Sequence, residues 1–158
     1  MKVDGERSFA APREVVWNVL NDPSQMAKLM PGVQSFEIQD ATHWRAKVKI
    51  PLGLGSLAMT IDFEKTAERE LEFSSLHAKG NGVGAMMNMQ TEFTLEPLDE
   101  GTRMLWVADV SIAGPVGAMG QRVLQPIVKQ QVGNVLAALE RQVDEASAAG
   151  SEPPAAEQ

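Results

Sequence analysis

The sequence predicts an α+β fold: a curved antiparallel sheet of about seven strands, two short helices after strand 1, and a long C-terminal helix over an apolar cavity. Three observations carry this. The stretch Pro12-Arg13-Glu14-Val15-Val16-Trp17-Asn18-Val19-Leu20-Asn21-Asp22-Pro23, closed by Met30-Pro31-Gly32, encodes helix, break, helix and stop directly after one strand. Proline is tolerated in a first helical turn, and a Pro-Gly pair ends a helix abruptly. Between residues 33 and 112 the apolar residues recur every second position, the period of strands. From Gly114 the period becomes helical, with Val116, Met119, Val123, Ile127, Val132, Val135, Leu136, Leu139 and Val143 in one stripe.

Taken in order, residues 2–10 read as the first strand, 12–21 and 23–30 as the helices, and 33–39 and 43–51 as strands two and three. After Gly53-Leu54-Gly55, Leu57, Met59, Ile61 and Phe63 face one way and Ser56, Thr60, Asp62 and Glu64 the other. That alternation marks a half-buried strand. In the next strand, 69–79, the expected inward set is Leu71, Phe73, Ser75 and His77. Beyond the glycine-rich turn 79–84, Met87, Met89, Thr91, Phe93 and Leu95 share a face. Strand 102–112 is apolar on both faces, so its inner side stays open. Pro126 predicts a kink in the long helix. Residues 1–146 are read as one domain and 147–158 as a disordered polar tail.

At 158 residues the chain is one domain in size, with room for a core and a hollow. Its net charge of −7 argues against nucleic acid and against a polybasic grip on anionic lipid. Membrane contact would then be apolar and transient. The absence of cysteine removes disulfides, thiolate zinc sites and cysteine nucleophiles. With no spanning run and no signal-like start, a cytoplasmic protein is expected. Nine methionines suit a methionine-packed core or, where they cluster on one sheet face, an adaptable pocket wall.

Candidate chemistry is sparse. No metal-ligand spacing occurs, the acidic run from Asp62 to Glu72 alternates as a solvated sheet face, and His43 falls on the wet side of its strand. His77 shares parity with Leu71 and Phe73, and Arg7 shares parity with Val3 and Phe9. Both are candidates for orienting a polar head group. The expected cavity lining comes from the sheet at Met59, Ile61, Phe63, Phe73, His77, Met87, Met89, Trp106 and Val110. The helix would add Met119, Val123 and Ile127. No residue is assigned a catalytic or metal-binding role, and no cofactor is called for other than a bound quinone or lipid as cargo.

The sequence Pro12-x-x-x-Val16-Trp17-x-x-Leu20-x-Asp22-Pro23, with Met30-Pro31-Gly32, Lys79-Gly80-x-Gly82 and Leu95-x-Pro97, resembles the CoxG family of carbon monoxide dehydrogenase subunits. That family lies within the START-like SRPBCC helix-grip superfamily, and the resemblance runs from about residue 2 to 144. It implies a deep apolar cavity and a non-catalytic accessory that recruits a molybdenum hydroxylase-type dehydrogenase to the inner face of a membrane or delivers quinone to it. The superfamily also includes polyketide cyclases and dehydratases, so an enzyme is the first alternative. A pure docking or assembly factor is the second.

Overall fold

In the computed structural model, residues 1–29, 32–51 and 55–151 are described. The elements are β1 (Lys2–Phe9), α1 (Arg13–Asn21), α2 (Pro23–Leu29), β2 (Val33–Ile38), β3 (His43–Pro51), β4 (Ser56–Arg69), β5 (Phe73–Gly82), β6 (Ala85–Leu98), β7 (Gly101–Ala113), a 3-10 turn at Gly117–Met119, and α3 (Gln121–Ser151). The seven strands form one antiparallel sheet in the order β1-β7-β6-β5-β4-β3-β2. The expected α+β architecture, with a long helix following the sheet, is what the chain adopts.

Local chemistry places each break. Pro12 is extended at ψ 161° and caps α1, and its carbonyl accepts from the Val15 N–H at 3.0 Å. Asp22 ends α1 and starts α2, because its Oδ1 accepts from the Ser24 N–H at 2.9 Å while Pro23 occupies the first helical position. Met30 and Pro31 lie outside the described residues, but Gly32 has the positive φ of 74° that a stop requires. A Cβ there would stand 2.3 Å from the Lys49 carbonyl oxygen.

Two packing centres organise the interior. In the first, α1 buries Val16, Trp17, Val19 and Leu20 against Phe9, Leu95 and Met104 of the sheet and Leu139 and Val143 of α3. Thr102, wholly buried, donates to the Ala11 carbonyl at 2.7 Å and fixes the link from β1 to α1. In the second, β3, β4 and β5 bury Trp44, Ala46, Val48, Met59, Ile61, Phe63 and Ala78. A smaller set joins Val3, Ala108 and Val110 to Val128 and Val132 of α3.

α3 departs from the sequence reading at both ends. Gly120, at φ 87°, separates the 3-10 turn that holds Met119 from the helix, and within the helix the packed stripe runs one residue beyond Val123 and Ile127. The residues that pack are Leu124, Val128, Val132, Val135, Leu136, Leu139 and Val143, while Met119 and Val123 are exposed. The helix also continues to Ser151, into the stretch read as a tail, and residues 152–158 lie outside the described residues. Pro126 falls inside α3, as expected.

Candidate functional site

Directly opposed residues of antiparallel strands share a face, so the strand register fixes which side chains meet. Trp44, Phe63, Ala78, Met89 and Val110 form one row across the sheet. Ala46, Ile61, Gly80, Met87 and Ile112 form the next. Both rows lie on the face that carries the two main apolar centres. The sequence-predicted residues Met59, Ile61, Phe63, Met87, Met89, Trp106 and Val110 are therefore brought together on one face.

Phe73 and His77 are not among them. Phe73 lies in a row with Arg69, Thr94 and Leu105 on the opposite face, where the Arg69 guanidinium covers its ring at 4.8 Å. His77 is half-buried on that same face, opposite Glu64 and Gln90. Their expected inward orientation is corrected by the register: Ser74, Leu76, Ala78 and Gly80 are the inward residues of β5. Small side chains leave no hydrophobic signature, so Leu71 and Phe73 dominate the pattern. Leu71 itself sits in the Arg69–Glu72 turn at a positive φ of 67°.

On the helix side, Ile127 is half-buried, whereas Met119 and Val123 project from the surface instead of over the sheet. Arg7 does face α3, but its Nε donates to Glu140 Oε1 at 2.9 Å and its Nη2 lies 2.8 Å from the same oxygen. Its charge is engaged in joining β1 to the helix. His43 is exposed, between Asp40 at 3.0 Å and Glu64 at 3.6 Å. Hydrogen bonds from the Thr42 backbone and then from His43 hold the Asp40 carboxyl at about 2, and the Asp40 hydrogen bond raises His43 above its ordinary value.

No sequence pattern signals the polar groups on the inner face. Trp44 Nε1, Thr91 Oγ1 and Trp106 Nε1 are buried without a hydrogen-bond partner among the described residues. Trp44 is 3% exposed and stacks on Phe63 at 6.0 Å, and Thr91 is 8% exposed. Trp106 lies over β1 because Gly5 has no side chain; a Cβ there would meet its ring at 3.0 Å. An indole N–H only donates, and a buried donor left unmatched costs about 1–3 kcal/mol.

Cover over this face is uneven. α3 packs on the β1–β7 side through Val128 and Val132. Against the β3–β5 centre, the half-buried apolar residues come from the sheet, from Met26 of α2 and from Val116 ahead of α3. Clefts open at the surface of the described residues include two of note. One, of about 410 Å³, lies between α2 and α3 and is mostly polar, lined by Gln25, Lys28, Arg141, Gln142 and Glu145; it is remote from the predicted lining. The other, of about 360 Å³, reaches Val48 and Met59 from the β3–β5 edge beside Gly82 and Val83. No group of acidic or histidine side chains suited to a metal occurs among the described residues.

The family model of the carbon monoxide dehydrogenase subunit CoxG matches residues 5–144. The chain belongs to that family. No curated protein matches it. Among solved structures, a conserved protein from Geobacillus kaustophilus is 22% identical, with a TM-score of 0.86 over 92% of this chain and 97% of that one. The Zhui aromatase/cyclase from Streptomyces is 18% identical, TM-score 0.68, covering 91% and 93%. A START superfamily protein from Mycobacterium smegmatis is 16% identical, TM-score 0.67, covering 91% and 97%. This CoxG-family chain thus shares its fold with START proteins and with an aromatase/cyclase. No described helix is long and apolar enough to cross a membrane.

Proposed function

We propose that this CoxG-family protein is a non-catalytic carrier. It holds an apolar small molecule bearing a hydrogen-bond acceptor, of the quinone or isoprenoid class, between α3 and the inner face of the sheet. It serves a carbon monoxide dehydrogenase-like enzyme of the molybdenum hydroxylase type as an accessory, at the inner face of a membrane. The observation that supports this reading is that Trp44 Nε1 and Thr91 Oγ1 are buried and unpartnered among the apolar side chains of the inner face. A carbonyl oxygen would satisfy such a donor, and the flexible Met59, Met87 and Met89 beside them adapt to an irregular ring or chain. The cyclase alternative needs an acid–base group toward the ligand, and His77 faces the other way.

The test uses the purified full chain and a short-chain quinone, with binding read from tryptophan fluorescence. Trp44→Phe and Thr91→Val should each weaken binding about five- to twentyfold, the value of one hydrogen bond in a dry site. His77→Ala should leave it unchanged. Equal affinity for the quinone and for a hydrocarbon of the same shape would remove the role given to the donors. A protein that binds neither probe, and yields no apolar molecule by solvent extraction and mass spectrometry, would end the carrier reading.

A further inference from the structure

The β5–β6 turn and the segment ahead of α3 make up one end of the molecule. The Val116 N–H donates to the Gly84 carbonyl at 2.9 Å, and Gly114 approaches that carbonyl so closely that a Cβ would stand 2.8 Å away. From this end project Val83, 94% exposed, together with Met86, Met119 and Val123, each about half exposed. Gly84 and Gly120, beside Val83 and Met119, have positive φ, so these two side chains ride on turns that glycine makes without strain, while Met86 opens β6 and Val123 lies in the first turn of α3. The chain therefore places large apolar groups in water where nothing in the fold requires them.

Charge singles out the same end. The described segments that build it, residues 47–51, 55–60, 79–90 and 110–131, hold Lys47, Lys49, Lys79, Arg122 and Lys129 and no acid, in a chain with 14 Lys and Arg against 21 Asp and Glu. At its border stand two acids: Asp62, opposite Lys79 but engaged by Arg45 at 2.6 Å, and the exposed Asp109, opposite Gln90 and 4.0 Å from the Met1 amino group. The net charge of −7 hides this separation.

We infer that this end docks on a bilayer surface with anionic headgroups, with Val83 and Met119 entering the interface and the surrounding lysines and arginines facing phosphate. A folded protein partner would call for a continuous flat or concave patch. Separate side chains standing out on glycine turns, with cations on the adjoining strands and helix, instead fit a medium that yields around each one. The inference rests on the peripheral-membrane part of the reading above and is independent of what the interior carries. It gives that reading a definite surface.

The experiment is flotation of the full chain with vesicles of phosphatidylethanolamine and phosphatidylglycerol, beside vesicles of phosphatidylcholine alone. The wild type should float with the anionic vesicles and do so less as salt rises. Val83→Asp with Met119→Asp should reduce partitioning by about tenfold or more, and each of Lys47→Gln, Lys49→Gln and Arg122→Gln by up to about fivefold. Leu98→Ser, at the β6–β7 turn of the opposite end, is a control that should float as wild type; circular dichroism checks that every variant is folded. If the wild type floats and the Val83, Met119 and cation variants float equally well, membrane association stands and this surface is wrong. If the wild type floats with neither vesicle, both fall. Retention on a polyglutamate column that depends on Val83, without flotation, would reassign this end to an acidic protein and overturn the inference.

Discussion

At the end closed by α1 and α2, Val16, Met104 and Val143 are wholly buried and the Thr102 hydroxyl has its partner in the Ala11 carbonyl. Toward the glycine turns, Met87, Met89 and Ile112 are only half-buried, and Thr91 has no partner among the described residues. Both regions use the same sheet and the same helix. They differ in where the cover comes from: three helices lay side chains on the sheet in the first, whereas in the second the apolar side chains come mostly from the strands themselves, with the half-buried Met87 and Met89 among them. A filled interior supplies stability, and interior groups left unmatched cost stability that a bound molecule can return.

Truncation gives the largest expected contrast. Leu139→Ala, in the closed region, should cost about 2–5 kcal/mol in urea unfolding. Met89→Ala should cost about 1 kcal/mol, since its surroundings are loose and its side chain flexible. Equal losses would break the distinction.

A subtler pair concerns the two threonines. Thr102→Val strands the Ala11 carbonyl and should destabilise by about 1–3 kcal/mol, whereas Thr91→Val removes an unmatched hydroxyl and should leave the ligand-free protein as stable or more so. If Thr91→Val is the more damaging change without ligand, its hydroxyl is structural and the carrier reading loses one of its two supports.

The smallest effect lies outside both regions, at the β2–β3 turn. Its Asp40–His43 pair contributes in the window set by its two shifts. The His43 part is present below pH 6.5 and is lost as pH rises through its raised value; the Asp40 part is present above 3.8 and is lost as pH falls through about 2. Both groups are exposed, so the effect on unfolding should be slight. Asp40→Asn should bring the His43 titration, followed by NMR, back toward 6.5. An unchanged midpoint would mean that Glu64 is its effective partner.

Much of the fold is legible in the sequence because it is written in large side chains. Leu57, Met59, Ile61 and Phe63 alternate cleanly and do share the inner face, and the later stripe from Val132 to Val143 packs as its period implies. β5 misleads because its inward residues include Ser74, Ala78 and Gly80, whose small size makes room for Met59 and Met87. The first turns of α3 mislead because the step from Ile127 to Val132 breaks the three-or-four spacing of a helical stripe, whereas Leu124 and Val128 keep it with Val132 and are the residues that pack. The separation of charge is hidden because the segments that carry it are far apart in the chain and meet only when the strands pair. The unpartnered indole and hydroxyl groups are likewise a property of what surrounds Trp44 and Thr91, which no local pattern encodes.

The strand order has one further consequence. β2 to β7 follow one another as a meander, each beside its predecessor, but β1 pairs only with β7, from Lys2 with Asp109 to Phe9 with Thr102. Of the seven strands of the sheet, the first in chain order thus pairs with the last, and this pairing spans the whole meander. Lys2, Asp4, Glu6 and Arg7 make it a charged segment, unsuited to pairing with another chain. Its place in the sheet is also where Arg7 meets Glu140 and Gly5 makes room for Trp106. Closing the sheet and seating the helix therefore share one strand, whose partners lie far along the chain.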